Sequence, residues 1–347
     1  MRLLVRADGW NAIGAGHVMR CLALAHAWRA QGGTVTFISF CDSDALAARL
    51  RAGCDHMVRL DHPHPSESDR VRLLEVAAQH PGSPVVLDGY GFDASYHRPL
   101  RMGGHPLLLL DDHVHQPSYD ADWVLNQNAL AKPELYRRLG SAAKLLLGPS
   151  FALIRGEFVA YHSWVRPPVE VARRVLVTLG GSDPGNVTQD VVRGAALASE
   201  PDWLVRIIVG HSNSNMASLM ALVATQKLPF EISRAVDDMP AQMRWADLAI
   251  SAAGSTIWEL AYMQVPALLI KTADNQGTNS KDLDTKGVAR DLGCPDGDLV
   301  ERVGRGLREL SPDGARRAEM ARAGRALVDG LGARRVIEVI AAGASQA

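Results

Sequence analysis

The sequence is short of the features that would tie it to a polynucleotide, a membrane or an oxidising compartment. Lysine and arginine number 37 against 38 aspartates and glutamates, a formal net charge of −1. So even a balance gives no bulk field to draw nucleic acid or an anionic lipid surface. Only four cysteines occur, Cys21, Cys41, Cys54 and Cys294, and none forms a Cys-x-x-Cys pair. A chain of 347 residues does not need disulfides to make up for a small core, so a reducing compartment fits. No apolar run approaches bilayer-spanning length, and the first residues read as a strand with no signal-like run before it. The expectation is a soluble, cytoplasmic, monomeric protein with no nucleic-acid or membrane partner. The late arginines Arg316, Arg317, Arg322 and Arg325 recur near helical spacing with Glu319 among them, as on a solvated helix face.

What is present is an alternation of short apolar runs with amphipathic stretches. The first half predicts strands at 2–7, 34–39, 56–60, 84–88, 107–111 and 122–125, and helices at 17–31, 43–52, 67–79 and 94–101. Residues 156–172, with Arg166-Pro167-Pro168, break the pattern and read as a connection. The second half restarts it, with strands at 174–179, 204–209, 229–233, 247–251 and 266–270, helices from 187 and over 255–264, and a helical tail from 314 to 342. The fold class is therefore α/β, with two Rossmann-like, doubly wound domains, 1–157 and 171–347, the second carrying the terminal helix. Ligands bind such sheets at the carboxyl ends of their strands, so a cleft between the domains is the expected site.

Three glycine turns follow strands. The first, Gly14-Ala15-Gly16, lacks the third small residue of a dinucleotide fingerprint, because position 19 is Met19; Ser39 also ends the second strand without an acid for ribose. The second, Gly180 to Gly185, continues into Asn186-Val187 where a Walker loop needs Lys and Ser/Thr. It remains a glycine turn feeding a helix, with Gly181 and Asn186 as candidate anion contacts. The third, Gly254-Ser255-Thr256, also opens a helix; Glu259, one turn in, is placed to reach ribose hydroxyls. Ser255 as a plain N-cap, with Glu259 as first-turn charge, is the bland alternative.

His17 is the first turn's reactive group. A histidine at a helix N-terminus should stay neutral, since that end disfavours a second positive charge, and a neutral imidazole can act as a general base. Asp8 is the candidate to orient it. Asp111 or Asp112, at the end of a first-domain strand, is placed to contact hydroxyl or amide groups of a ligand. His62/His64 and His113/His115 look like ligand pairs; the first is read as surface loop, the second as lining the cleft, and neither as a metal site.

Several stretches together carry a family likeness. They are Arg6-Ala7-Asp8, Ile13-Gly14-x-Gly16-His17-x-x-Arg20, Leu87-Asp88-Gly89-Tyr90, Leu110-Asp111-Asp112, Asn126-Gln127-Asn128-Ala129 and Leu147-Gly148-Pro149 through Leu153-Ile154-Arg155. In the second half they are Gly180-Gly181-Ser182-Asp183-Pro184-x-Asn186, Gly254-Ser255-Thr256-x-x-Glu259 and Asn275-Gln276. Over nearly its whole length the chain resembles the UDP-sugar hydrolases of pseudaminic acid biosynthesis, the PseG family, related in fold to GT-B glycosyltransferases of the MurG type. The resemblance implies that water cleaves UDP-2,4-diacetamido-2,4,6-trideoxy-β-L-altrose to UDP and free sugar. It implies His17 as base, Tyr90 near the sugar, and UDP on the second domain with Asn275 among its contacts. Arg20, Asn128, Arg155 and Gln276 are site candidates through the matching blocks. No metal or other cofactor is expected. The sequence departs from the family at Trp10-Asn11 and at Gln264, where a glycine is common. A glycosyltransferase, a UDP-sugar 2-epimerase and a non-catalytic nucleotide-sugar-binding module are the competing readings.

Overall fold

The computed structural model describes residues 1–10, 13–198, 202–210, 212–234, 236–273, 276 and 279–344. The chain divides into two compact units, one of residues 1–156 joined by the segment from Gly330 on, the other of Glu157–Asp329. The first unit runs β1 (Arg2–Ala7), α1 (Gly16–Ala30), β2 (Thr34–Ser39), α2 (Asp44–Gly53), β3 (His56–Arg59), α3 (Glu67–Ala78), β4 (Val85–Asp88), α4 (Ala94–Met102), β5 (Leu107–Leu110), β6 (Trp123–Asn126), α5 (Pro133–Arg137) and β7 (Lys144–Leu147). Its strands pair in parallel in the order β3-β2-β1-β4-β5-β6-β7. Strand periodicity feeds two cores. Leu3, Val5 and Ala7 of β1 enter one apolar cluster with α1, while Leu4 enters another with Leu73 and Leu100. A strand buried on both faces is apolar throughout.

The second unit runs β8 (Arg174–Thr178), α6 (Val187–Leu197), β9 (Leu204–Val209), α7 (Met216–Ala224), β10 (Phe230–Arg234), α8 (Met239–Trp245), β11 (Leu248–Ala252), α9 (Thr256–Tyr262), β12 (Ala267–Ile270), α10 (Asn279–Thr285), β13 (Ala289–Asp291), α11 (Leu299–Leu310) and α12 (Gly314–Leu327). Its parallel order is β10-β9-β8-β11-β12-β13. Arg166, from the stretch read as a connection, donates to the carbonyls of Met243, Ala246 and Met263 and so closes the C-terminal ends of α8 and α9. Gln264, where a glycine is common, sits at φ 56°, the left-handed region that glycine occupies without strain; its amide donates to the Trp164 carbonyl at 3.1 Å. Among the described residues, no helix is long and apolar enough to cross a membrane.

Two expectations are corrected here. The tail is not one helix of the second domain. It turns at Gly330, φ 83°, and α13 (Gly332–Ala344) packs into the first unit. The reason is its stripe of Ala333, Val336, Ile337 and Ile340, spaced along one helix face and buried in the same cluster as α1.

Asp8 does not orient His17. It is fully buried beneath the sheet edge. Its Oδ2 accepts from Arg6 Nη2 at 2.7 Å, from the His64 N–H at 2.9 Å and from His64 Nδ1 at 2.5 Å; its Oδ1 accepts from Arg6 Nη1 and from the Phe40 N–H at 2.6 Å. Arg6 Nε reaches Asp69 at 2.8 Å, and Tyr96 donates to the same carboxylate at 2.8 Å. His64 is thus a buried strut between Asp8 and the Phe92 ring stacked 4.2 Å away, and does not belong to a solvated loop; His62 is exposed. Burial opposes ionisation of Asp8, but His64 and Arg6 outweigh it and hold the carboxyl well below its ordinary 3.8.

Ile337→Ala should cost about 2–5 kcal/mol in urea unfolding, the range for emptying a buried aliphatic site; no loss would mean α13 is not part of this core. Because the folded Asp8 binds its proton more weakly than the unfolded one, its contribution is complete above about pH 4 and is lost as pH falls below that. The urea midpoint should fall progressively as pH drops below about 4, and Asp8→Asn should flatten that fall.

Candidate active site

β1 and β4 are neighbours at the point where the strand order of the first sheet reverses, the place where open parallel sheets leave a crevice. The loop after β1 is closed by the Trp10 carbonyl, which accepts from the N–H groups of Ile13 at 3.1 Å and Gly14 at 2.8 Å. Gly14 has φ 72°, a conformation that requires glycine here. A Cβ on Gly16 would meet nothing within 4 Å, so that side of the helix start is open. Trp10 turns its ring toward Phe40 and His64.

His17 and Arg20 lie three residues apart on the first turns of α1 and so share a face. Both meet Asp88, the last residue of β4, which has no exposed surface. His17 Nδ1 is 2.7 Å from Asp88 Oδ1; Arg20 gives Nε to Oδ2 and Nη2 to Oδ1, each at 2.6 Å. The Cys21 thiol, pushed up by burial, donates to Oδ2 at 3.4 Å. Burial alone would keep Asp88 protonated, but Arg20 and His17 outweigh it and hold the carboxyl well below the usual range. An ionised carboxylate only accepts, so His17 donates from Nδ1, and Nε2 is the ring nitrogen that Asp88 leaves for another partner.

Arg20 also reaches forward. Nη1 and Nη2 donate to the two Asp112 oxygens at 2.6 and 3.1 Å, and the Tyr90 hydroxyl donates to Asp112 Oδ2 at 2.9 Å. Asn128 donates to the Asp112 carbonyl at 2.6 Å. The Tyr90 ring meets the His17 ring edge-on, centroids 5.1 Å apart, and is 38% exposed. The structure therefore gathers His17, Arg20, Tyr90, Asp112 and Asn128, with Gly14 and Gly16 in the turn before them. Arg155 follows the Leu153 N–H, which donates to Gln127 at 3.0 Å, and is half-buried. Asp88 was not among the expected site residues. Its signal was a carboxylate ending an otherwise apolar strand.

In the second unit, the turns after β8, β11 and β12 lie at adjacent strand ends around the matching reversal point. The N-terminus of α6 is not open to an anion as expected. Asp183 accepts from the N–H groups of Val187 at 2.9 Å and Thr188 at 3.0 Å and from the Thr188 hydroxyl at 2.6 Å, so a carboxylate of the chain already fills that position. Asn186 sits at φ 52°, and the Gly181 carbonyl accepts from the Ser212 N–H at 3.2 Å. The Gly254–Thr256 turn differs, since Ser255 makes no side-chain cap bond. Gln276 lies beside Gly254, its Nε2 3.5 Å from where a Cβ would stand, and accepts from the Thr272 N–H and hydroxyl at 3.0 and 3.1 Å. Glu259 is 6% exposed. Asn275 lies outside the described residues.

Residues 175–333 match the Glycosyltransferase family 28 C-terminal domain. The chain is 29% identical over 316 residues to an Acidithiobacillus ferrooxidans UDP-N-acetylglucosamine–N-acetylmuramyl-(pentapeptide) pyrophosphoryl-undecaprenol N-acetylglucosamine transferase, covering 84% of this chain and 83% of that protein. It is 24% identical to the spore coat polysaccharide biosynthesis protein SpsG of Bacillus subtilis over 98% of both. It is also 24% identical over 205 residues to a Helicobacter pylori pseudaminic acid cytidylyltransferase and UDP-2,4-diacetamido-2,4,6-trideoxy-β-L-altropyranose hydrolase, 59% of this chain and 37% of that one. An uncharacterized Methanocaldococcus jannaschii protein, MJ1062, matches at 24% over 78% of the chain, which spans 55% of that relative's length. Among solved structures, Acinetobacter baumannii MurG aligns at TM-score 0.63 and 16% identity over 98% of both chains. The S. aureus MnaA–UDP complex aligns at TM-score 0.68 and 12% identity over 98% of this chain and 95% of the other. The chain thus has the two-unit, parallel-sheet α/β fold of MurG, and residues 175–333 are similar to the family 28 C-terminal domain.

Proposed function

We propose that this chain is an enzyme that hydrolyses a UDP-linked diacetamido-trideoxy sugar, UDP-2,4-diacetamido-2,4,6-trideoxy-β-L-altrose, to UDP and the free sugar. One observation carries the reading. His17 is bonded through Nδ1 to a buried Asp88, which leaves Nε2 for a substrate or water, and it stands beside Tyr90 and near Asp112 and Asn128 at a sheet reversal point. The hydrolase named for the Helicobacter pylori relative supports the substrate.

In this mechanism a water oxygen attacks the anomeric carbon as its proton passes to His17 Nε2. The carbon–oxygen bond to the β-phosphate breaks, and its electron pair leaves with UDP. Attack opposite the leaving group inverts the anomeric centre. The leaving group is a stable anion, so no acid or metal is assigned to it. UDP is held by the second unit through Gly254, Ser255, Thr256, Glu259, Asn275 and Gln276, with Gly181 and Asn186 in the loop beside them. Arg20 keeps Asp88 charged and bonds both Asp112 oxygens; Tyr90 and Asp112 meet the sugar.

The family 28 match and the Acidithiobacillus relative favour a second reading, transfer of the sugar to an acceptor. The same His17 would then deprotonate an acceptor hydroxyl in place of water.

Incubation with the UDP-altrose derivative and no acceptor separates the two. NMR should show UDP and free sugar, the first-formed anomer inverted, at a rate unchanged by EDTA; release only when an acceptor is added supports transfer. His17→Asn should lower kcat by about 10²–10⁴ while UDP affinity stays near wild type. Near-normal turnover by that variant would sink the assignment of the base.

A further inference from the structure

Beside His17–Asp88 and the buried His64–Asp8 strut, the first unit holds a further imidazole–carboxylate pair that this mechanism leaves unused, in the loop 111–116 after β5. Asp111, 1% exposed, accepts from the N–H groups of Asp112 and Val114 at 2.9 and 3.0 Å, from His115 Nδ1 at 2.9 Å, and from the Tyr119 and Tyr136 hydroxyls at 2.9 and 2.7 Å. Burial opposes its ionisation, but His115 and Tyr136 outweigh that and hold the carboxyl at about 2. Val114, between the two histidines, has φ 55°, a strained conformation for a β-branched residue. The rings of His113 and His115 stand 5.0 Å apart, and each is 5.1 Å from the Tyr90 ring.

The hydrogen-bond roles follow from one fixed point. The Tyr90 carbonyl can only accept, so the Gln116 side-chain atom 3.1 Å from it is the donor Nε2. The same Nε2 lies 2.8 Å from His115 Nε2 and gives its second hydrogen there. His115 Nε2 must then be bare, and its proton sits on Nδ1, donated to Asp111. A chain of bonds of fixed polarity runs from Asp111 through His115 and Gln116 to the backbone of Tyr90, whose ring meets His17.

We propose that His115 and Gln116 are positioning residues that hold Tyr90 against His17 and thereby set where the sugar lies. This rests on the reading of Tyr90 as a sugar contact and His17 as the base. It accounts for the strained loop, which spends backbone energy to turn two imidazoles onto one tyrosine. It also accounts for a buried amide, Gln116 at 8% exposure, whose Nε2 hydrogens both have stated partners.

Two measurements test it. Nitrogen NMR of the full chain with ¹⁵N-histidine, with His115→Asn used for assignment, should show His115 at neutral pH protonated on Nδ1 and bare on Nε2. A neutral ring protonated on Nε2, or an imidazolium, would overturn the proposal whatever the substrate proves to be. Steady-state kinetics on the UDP-altrose derivative then compare Gln116→Met, which keeps the volume and removes the donors, in the wild-type and Tyr90→Ala backgrounds. KM should rise on the order of tenfold in the first background, with kcat and the Kd for UDP within about twofold, and should not change in the second. Equal losses in both backgrounds, or an unchanged KM in the first, would contradict the proposal. Full activity of His17→Asn would instead remove the base reading and leave the coupling of Gln116 to Tyr90 standing.

Discussion

The first unit's candidate site is built on Asp88, a carboxylate with no exposed surface that accepts from Arg20 through both oxygens and from His17 through one. A buried charge left unpaired costs several kcal/mol, so its partners cannot drift away from it. That cost fixes the imidazole. The ring is turned by the need to satisfy Asp88, and Nε2 is the nitrogen that Asp88 leaves over. Arg20 extends the constraint to Asp112 and through it to Tyr90. One guanidinium thus ties the proposed proton acceptor to the groups proposed to meet the sugar.

The fold makes this arrangement available cheaply. Parallel strands end in loops at one edge of the sheet, and the reversal between β1 and β4 leaves a crevice there. α1 starts at that edge, so residues one turn apart on it reach a strand end that lies seventy residues away in sequence. The second unit repeats the plan between β8 and β11. Its two helix-opening turns differ in one decisive respect. Asp183 fills the N-terminus of α6 from within the chain, whereas Ser255 makes no side-chain cap bond at the start of α9.

Much of this was legible in the sequence. Continuous apolar runs between amphipathic stretches gave both parallel sheets, because strands covered on two faces must be apolar throughout. The glycines at 14 and 16 with His17 marked the turn whose imidazole the structure sets against Asp88. What was not legible depends on adjacency. Asp8 is near His17 along the chain and Asp88 is not, yet β1 pairs with β4, so the nearer acid is buried with Arg6 and His64 while the farther one meets the imidazole. The tail's helical pattern was visible, but helical spacing does not say which core its apolar stripe will join; Ile337 and Ile340 enter the first one. Short segments such as β7 and α5 carry too few residues for a period to show. The Asp183 cap could have been read from its position just ahead of a helix start, where an acidic side chain serves as well as an external anion.

The most direct test of the central claim is single-turnover hydrolysis by Asp88→Asn, with UDP affinity measured alongside. The substitution keeps the shape of the site and removes the charge that holds the proton on Nδ1 of His17. The account predicts that the chemical step slows by about 10²-fold or more while UDP binds as before. A variant that turns over at the wild-type rate would show that the His17–Asp88 pair does not carry the reaction.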